Sequence, residues 1–317
     1  MIRALSLGLI LAPAAAGAFD LGLPVACTLG ETCHIQQFPD RDPGPAARDY
    51  TCGSLSYDGH DGTDFALPSL AAMTAGVDVL AAAPGVVRGA RDGMPDILIS
   101  DPAAPPLEGR DCGNGLAITH TDGWETQYCH LKQGSVQVKP GDAVQAGQVL
   151  GQIGLSGNTE FPHLHLTVRQ NGVAVDPFAP GDMALCGKAG DDLWSAPLPY
   201  QPGGIIAIGF ADAVPDYGQV KAGLAAQPLR AAAPALVVWA YLFGTRAGDR
   251  LQLTLTGPQG EVVADTIALD RTQAQAMRAI GRKLRDSRWP PGRYQGQAIL
   301  LRDGAEVDRA ILTADLP

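Results

Sequence analysis

From Cys52 to Phe178 apolar and polar positions alternate in short stretches closed by glycine: VDVLAAAPGVVRGA, GLAITHTDG, ETQYCHL, AVQAGQVLGQIG and HLHLTV. Successive side chains on a β-strand point to opposite faces, so a period of two bounded by turn residues predicts strands. Thr121-Asp122-Gly123 is a turn between hairpin partners. A second series follows in ALVVWAYLF, RLQLTLTG, EVVADTI, RYQGQAILL and EVDRAILTA. One stretch between these breaks the rule. Asp270 stands as an N-cap with Gln273 three residues later, and Met277, Ile280 and Leu284 share one helical face before Pro290 and Pro291, so a helix is predicted there. The two series are separated by residues 181–204, which lose periodicity and end in the proline- and glycine-rich SAPLPYQPGG. An all-β chain is expected: an antiparallel sandwich or barrel over residues 51–194, then a β-sandwich of Ig-like type with one helix over 195–317.

Composition narrows the setting. The 39 glycines and 25 prolines, with 6% aromatics, suit many turns and short strands. A formal net charge of −10 argues against a nucleic-acid partner, which needs clustered Lys and Arg, and offers no general attraction to an anionic polymer. Residues 1–18, MIRALSLGLILAPAAAGA, have the layout of a signal peptide: Arg3, an apolar run, then small residues. Pro13 interrupts that run, which falls short of the roughly 20 apolar residues of a spanning helix. The mature chain is therefore expected to be exported, periplasmic or secreted, without a transmembrane segment, and to begin with a lead-in over residues 19–50. All six cysteines precede residue 190 and form no C-x-x-C, which in an exported chain favours disulfides over a zinc cluster. Cys27 and Cys33 are close enough to staple a short loop; the other pairings stay open.

The candidate chemistry lies in the histidines, all six of which fall in the first half. In PHLHLTV, His163, His165 and Thr167 share one strand face and Leu164, Leu166 and Val168 the other, so two imidazoles look away from the core. In YDGHDGTDFAL, Gly59 and Gly62 disfavour a helix, and a turn leading into a strand lets His60 and Asp64 converge. In TQYCHLK, alternation places Tyr128 and His130 on one face and Cys129 and Leu131 on the other. Zinc accepts imidazole nitrogen and carboxylate oxygen, and catalytic sites hold it with three protein ligands and a water. His60, Asp64 and one member of the H-x-H pair meet that requirement, leaving the other member and His130 as bases beside the water.

These pieces, in order across residues 57–178, resemble the lysostaphin- or LytM-type zinc endopeptidases with their duplicated hybrid motif. The resemblance rests on GHDGTDFAL, VDVLAAAPGVV, CGNGLAITH, TQYCHL, VKPGDAVQAGQVLGQIGLSGNTEFPHLHLTV and VDPF. It implies a barrel-sandwich-hybrid peptidase domain, Zn2+ held by His60, Asp64 and His165, and catalysis by His130 and His163. It further implies that a zinc-bound water hydrolyses peptide crosslinks of bacterial peptidoglycan, either between D-alanine and a diamino acid or within a glycine bridge. His120 is read as structural and His34 as a surface residue.

Three rivals accompany that reading. A non-catalytic wall-binding or amidase-activating module would keep the fold, although such modules lack one or more of the five residues present here. VKPGDAVQAGQVLG also resembles biotinyl and lipoyl carrier hairpins, but Lys139 is followed by proline and precedes the repeat. The lead-in is open to two readings, an inhibitor lying over the groove or a disulfide-pinned strap along the domain's side. Nothing in residues 195–317 selects a role for them.

Overall fold

The computed structural model describes residues 19–187 and 191–317, so the expected signal peptide lies outside the described residues. The first half contributes strands β1 (His34–Gln37), β2 (Thr63–Ala66), β3 (Asp78–Leu80), β4 (Gly85–Arg91), β5 (Asn114–Thr119), β6 (Trp124–Leu131), β7 (Ala143–Val144), β8 (Val149–Gln152), β9 (His163–Gln170) and β10 (Val173–Val175). Eight of these form one antiparallel sheet in the order β1-β2-β9-β6-β5-β4-β7, with β10 on the free part of β9, while β3 pairs with β8. The expected turn at Thr121–Gly123 joins β5 to β6, with Asp122 and Gly123 at positive φ. One face of the large sheet carries Phe65, Ile118, Tyr128, Leu164 and Leu166 into the core. Leu21, Val25, Ile35 and Phe38 of the lead-in belong to that same core, and β1 pairs with β2. The lead-in is thus a strap along the side of the sheet.

Disulfides join Cys27 to Cys33, Cys52 to Cys186 and Cys112 to Cys129, the first as expected from spacing. The lead-in is further fixed by Arg41, whose guanidinium is buried 3.1 Å from Asp176.

The second half forms β11 (Gly204–Ala211), β12 (Ala235–Thr245), β13 (Arg250–Gly257), β14 (Gly260–Ala268), β15 (Gln273–Lys283), β16 (Gly292–Arg302) and β17 (Ala305–Leu316). A sheet β11-β12-β15 and a sheet β14-β13-β16-β17 enclose a core built around Leu236, Val238, Leu253 and Leu300. The helix expected over 270–284 is instead strand β15, paired along its length with β12. The cause is burial on both faces. Ile280 enters the sandwich core while Met277 and Ala279 pack on the outer face with Trp239 and Tyr241, so alternation is lost and apolar residues fall at helical spacing. The helix of this half is the short α2 (Tyr217–Ala222), capped by Asp216; the other, α1 (Leu70–Ala75), lies in the first half.

Candidate metal centre

The site is built by strand register. Asp64 of β2 lies opposite His165 of β9, and Ala66 opposite His163, so both imidazoles stand on the face carrying Asp64. Gly59, at φ 76°, turns the chain into β2 and leaves His60 beside Asp64. At Gly62 a side chain is excluded, since a Cβ there would stand 2.5 Å from His165 Nε2.

His130 arrives by a different route from the one alternation suggests. Cys129 pairs with His165 and Tyr128 with Leu166, which puts Tyr128 in the core, where its hydroxyl accepts from Ala82 N–H at 2.8 Å. Regular alternation would send His130 after Tyr128. His130 instead takes φ 64°, the β5–β6 register slips between Asn114 and Leu116, and the imidazole swings to 4.6 Å from the His163 ring. The expected pairing of Tyr128 with His130 on one face is therefore wrong, although His130 reaches the cluster.

Three donor atoms converge. His60 Nε2 lies 3.2 Å from Asp64 Oδ1, His165 Nδ1 lies 2.9 Å from the same oxygen, and the two nitrogens are 3.1 Å apart. A tetrahedral zinc with ligands at about 2.1 Å has donor–donor edges of roughly 3.4 Å, so the triangle fits to within about half an ångström. Main-chain carbonyls set the tautomers. His60 Nδ1–H donates to Phe38 O at 2.8 Å, His130 Nδ1–H to Ser156 O at 2.8 Å and His163 Nδ1–H to Phe161 O at 2.9 Å. Each ring therefore turns a bare Nε2 toward the cluster. His163 Nε2 is 3.4 Å from Asp64 Oδ1.

Such a gathering of lone pairs and a carboxylate calls for positive charge. Burial opposes ionisation of Asp64, yet the imidazoles of His60, His163 and His165 hold its carboxyl well below the usual range. Burial likewise opposes a charged His165, but hydrogen bonds to Asp61 and Asp64 outweigh it and push this imidazole up to about 9. A cation would take the place of the Nδ1 proton of His165, while Nε2–H stays on Asp61 Oδ1 at 3.2 Å. His130 and His163 are kept neutral chiefly by burial, the neighbouring imidazoles adding to the effect.

Two residues of the site escape the sequence reading. Asp61 had its signal in its place between His60 and Gly62. Arg169 follows His165 and Thr167 on the same face of β9 and lies 3.3 Å from Asp61. The holding carbonyls of Phe38, Ser156 and Phe161 carry no side-chain signal at all. His120 is structural as expected: its Nδ1 donates to Pro84 O and its Nε2 accepts from the Thr126 hydroxyl, each at 2.8 Å. His34 is a correction, being buried between Gln36 and the Phe243 ring and pushed down to about 4 by desolvation.

A cleft of about 250 Å3 bounded by Tyr57, Asp61, Gln127 and Arg169 opens on one side of the cluster, and one of about 230 Å3 bounded by Gln37, Glu160 and Phe161 on the other. Tyr57, His130 and Asn158 border both.

Residues 58–177, which hold every histidine of the cluster, match the model of Peptidase family M23. Over these residues the chain is similar to M23 peptidase domains. Over 120 residues the chain is 32% identical to the DD-carboxypeptidase/endopeptidase Mpg of Neisseria meningitidis serogroup B, covering 37% of this chain and 22% of that protein. It is 36% identical over 80 residues to the peptidoglycan DD-endopeptidase ShyC of Vibrio cholerae, covering 24% and 18%. With lysostaphin of Staphylococcus simulans it shares 37% identity over 90 residues, covering 27% and 18%. The chain thus spans about a fifth of the length of each of these relatives. The solved catalytic domain of the prophage-encoded M23 protein EnpA from Enterococcus faecalis aligns with 51% of this chain and 96% of its own, at 25% identity and a TM-score of 0.34. The region of the match is antiparallel β-structure throughout its main sheet, as the glycine-punctuated alternation predicted.

Proposed function

We propose that the protein is an exported zinc metalloendopeptidase that hydrolyses peptide crosslinks of bacterial peptidoglycan, the chemistry residing in residues 51–194. The observation that carries this reading is the convergence of His60, Asp64 and His165, with ligand atoms within 4.8 Å of one another, beside two further buried imidazoles. His60 and His165 supply imidazole nitrogen and Asp64 a carboxylate oxygen, a donor set that suits zinc. When bound, zinc acidifies water and polarises a carbonyl. His163 and His130 then do the proton work. Each has its Nδ1–H tied to a main-chain carbonyl, so the free Nε2 is aimed and ready to take a proton from the attacking water and return it to the leaving amine. The protonated ring also faces the developing oxyanion.

The two clefts meeting at the cluster suit an extended peptide lying across it. Mpg is named a DD-carboxypeptidase/endopeptidase and ShyC a peptidoglycan DD-endopeptidase, which favours the bond between D-alanine and a diamino acid over a glycine bridge. Three disulfides accord with an oxidising compartment. Among the described residues no helix is long and apolar enough to cross a membrane.

Elemental analysis of the purified protein, paired with release of soluble muropeptides from cell walls, tests the reading. About one zinc per chain in wild type and His163→Ala, with digestion by wild type alone, is the expected result. A zinc-free wild type that digests nothing would favour the wall-binding or amidase-activating alternative.

A further inference from the structure

The net charge of −10 is unevenly distributed. Up to residue 194 the chain has 10 Lys and Arg against 22 Asp and Glu; beyond it, 13 against 11. Four of the latter cations, Arg282, Lys283, Arg285 and Arg288, crowd the end of β15 and the loop to β16, and all four are exposed. They line a cleft of about 200 Å3 between that loop and the β13–β14 turn.

Two exposed arginines elsewhere on this sandwich have carboxylate partners, Arg293 on Asp315 and Arg309 on Glu306. The four in the cleft make no ion pair among the described residues, although Glu261 and Asp286 also border it. Arg282 Nη1 donates to Val262 O and Arg288 Nη2 to Pro317 O, both at 3.5 Å, which leaves most guanidinium N–H groups free for a ligand.

The loop that carries them is anchored. Trp289 is 7% exposed and its indole N–H donates to Ala233 O at 2.9 Å. Tyr294, at the far wall, donates its hydroxyl to Pro290 O at 2.8 Å. Like charges held close on a fixed frame repel one another, and an anion between them relieves that repulsion. Guanidinium forks match the paired oxygens of carboxylate and phosphate, and four cations exceed what one such group engages.

We propose that this cleft is a docking site for a polyanion, a polymer bearing repeated phosphate or carboxylate groups. It gives the second half an electrostatic hold on an anionic wall polymer that the acidic first half does not have. The site stands apart from the metal centre, so its test is independent of hydrolysis.

Fluorescence anisotropy of labelled polyphosphate and labelled polyglutamate with the full chain, at about 0.05 M and about 0.5 M NaCl, measures the binding. The comparison variant carries Arg282→Glu, Lys283→Glu, Arg285→Glu and Arg288→Glu, with circular dichroism to verify folding; the corresponding glutamine set replaces it if the reversed set does not fold. Wild type is expected to bind at low salt, to lose affinity at high salt, and to bind roughly tenfold or more tightly than the variant. Preference for one probe identifies phosphate or carboxylate as the group recognised. Absence of binding to both probes at low salt, or equal binding by the folded variant, overturns the proposal.

Discussion

Asp61 is half exposed, yet its carboxylate receives the Nε2–H of His165 and lies beside Arg169. A carboxylate behind a ligating imidazole fixes the ring and raises its basicity. Asp61→Ala is therefore expected to weaken zinc binding roughly 10- to 100-fold in competition with a chelator, and Asp61→Asn, which still accepts from Nε2–H, to weaken it less. His34 makes a second residue-scale test. Its folded-state value of about 4 lies below the usual 6.5, so the unfolded chain takes up a proton first as pH falls. The stability from neutral His34 is complete above about 6.5 and is lost as pH drops toward 4, on the order of 3 kcal/mol in all. Denaturant titrations across that window should show this fall in wild type and a flatter profile in His34→Phe. The neighbourhood of His34 was not legible in the sequence. It is buried by Phe243, more than 200 residues away in the chain, and no local pattern announces such a contact.

The kink at the end of β6 is the element on which the cluster turns. Gly113, at φ 63°, passes so close to the facing loop that a Cβ would stand 2.3 Å from Ser156 O, the acceptor for His130. Gly113→Ala should therefore displace both the loop and His130, lowering stability by about 1–3 kcal/mol in denaturant titrations and cutting wall digestion disproportionately. Tyr128→Phe tests the other side of the kink. It leaves the buried N–H of Ala82 without its 2.8 Å acceptor and should cost about 1–3 kcal/mol. Strands whose apolar residues all take one face, as Leu164, Leu166 and Val168 do in β9, were readable down to which side each histidine takes, because a period of two has a single solution there. Reading failed where that condition failed: at His130, where positive φ reverses the side, and in β15, where apolar residues point to both faces.

At the scale of the whole molecule, the M23 match over 58–177 is smaller than the unit that folds around the cluster. Phe38 O holds His60, and Leu21, Val25, Ile35 and Phe38 fill the first core. Deleting residues 19–50 is thus expected to lower both the unfolding midpoint and activity, and a gain of activity would restore the inhibitory reading of that segment. Contact with the second half is also specific: Gln36 Nε2 donates to Ala274 O at 2.8 Å, and Arg246 Nε to Ser54 Oγ at 2.9 Å. The disulfide between Cys52 and Cys186, 134 residues apart, closes a loop worth roughly 5 kcal/mol in chain entropy, and a Cys52→Ser, Cys186→Ser pair should unfold at correspondingly lower denaturant. Every histidine of the cluster lies inside that loop, as does the Cys112–Cys129 bridge. A protease that cuts the chain once between residues 52 and 186 therefore opens a ring without releasing a fragment. The nicked protein would run as one species on a non-reducing gel and as two only after reduction, its donor set still tethered on both sides of the break.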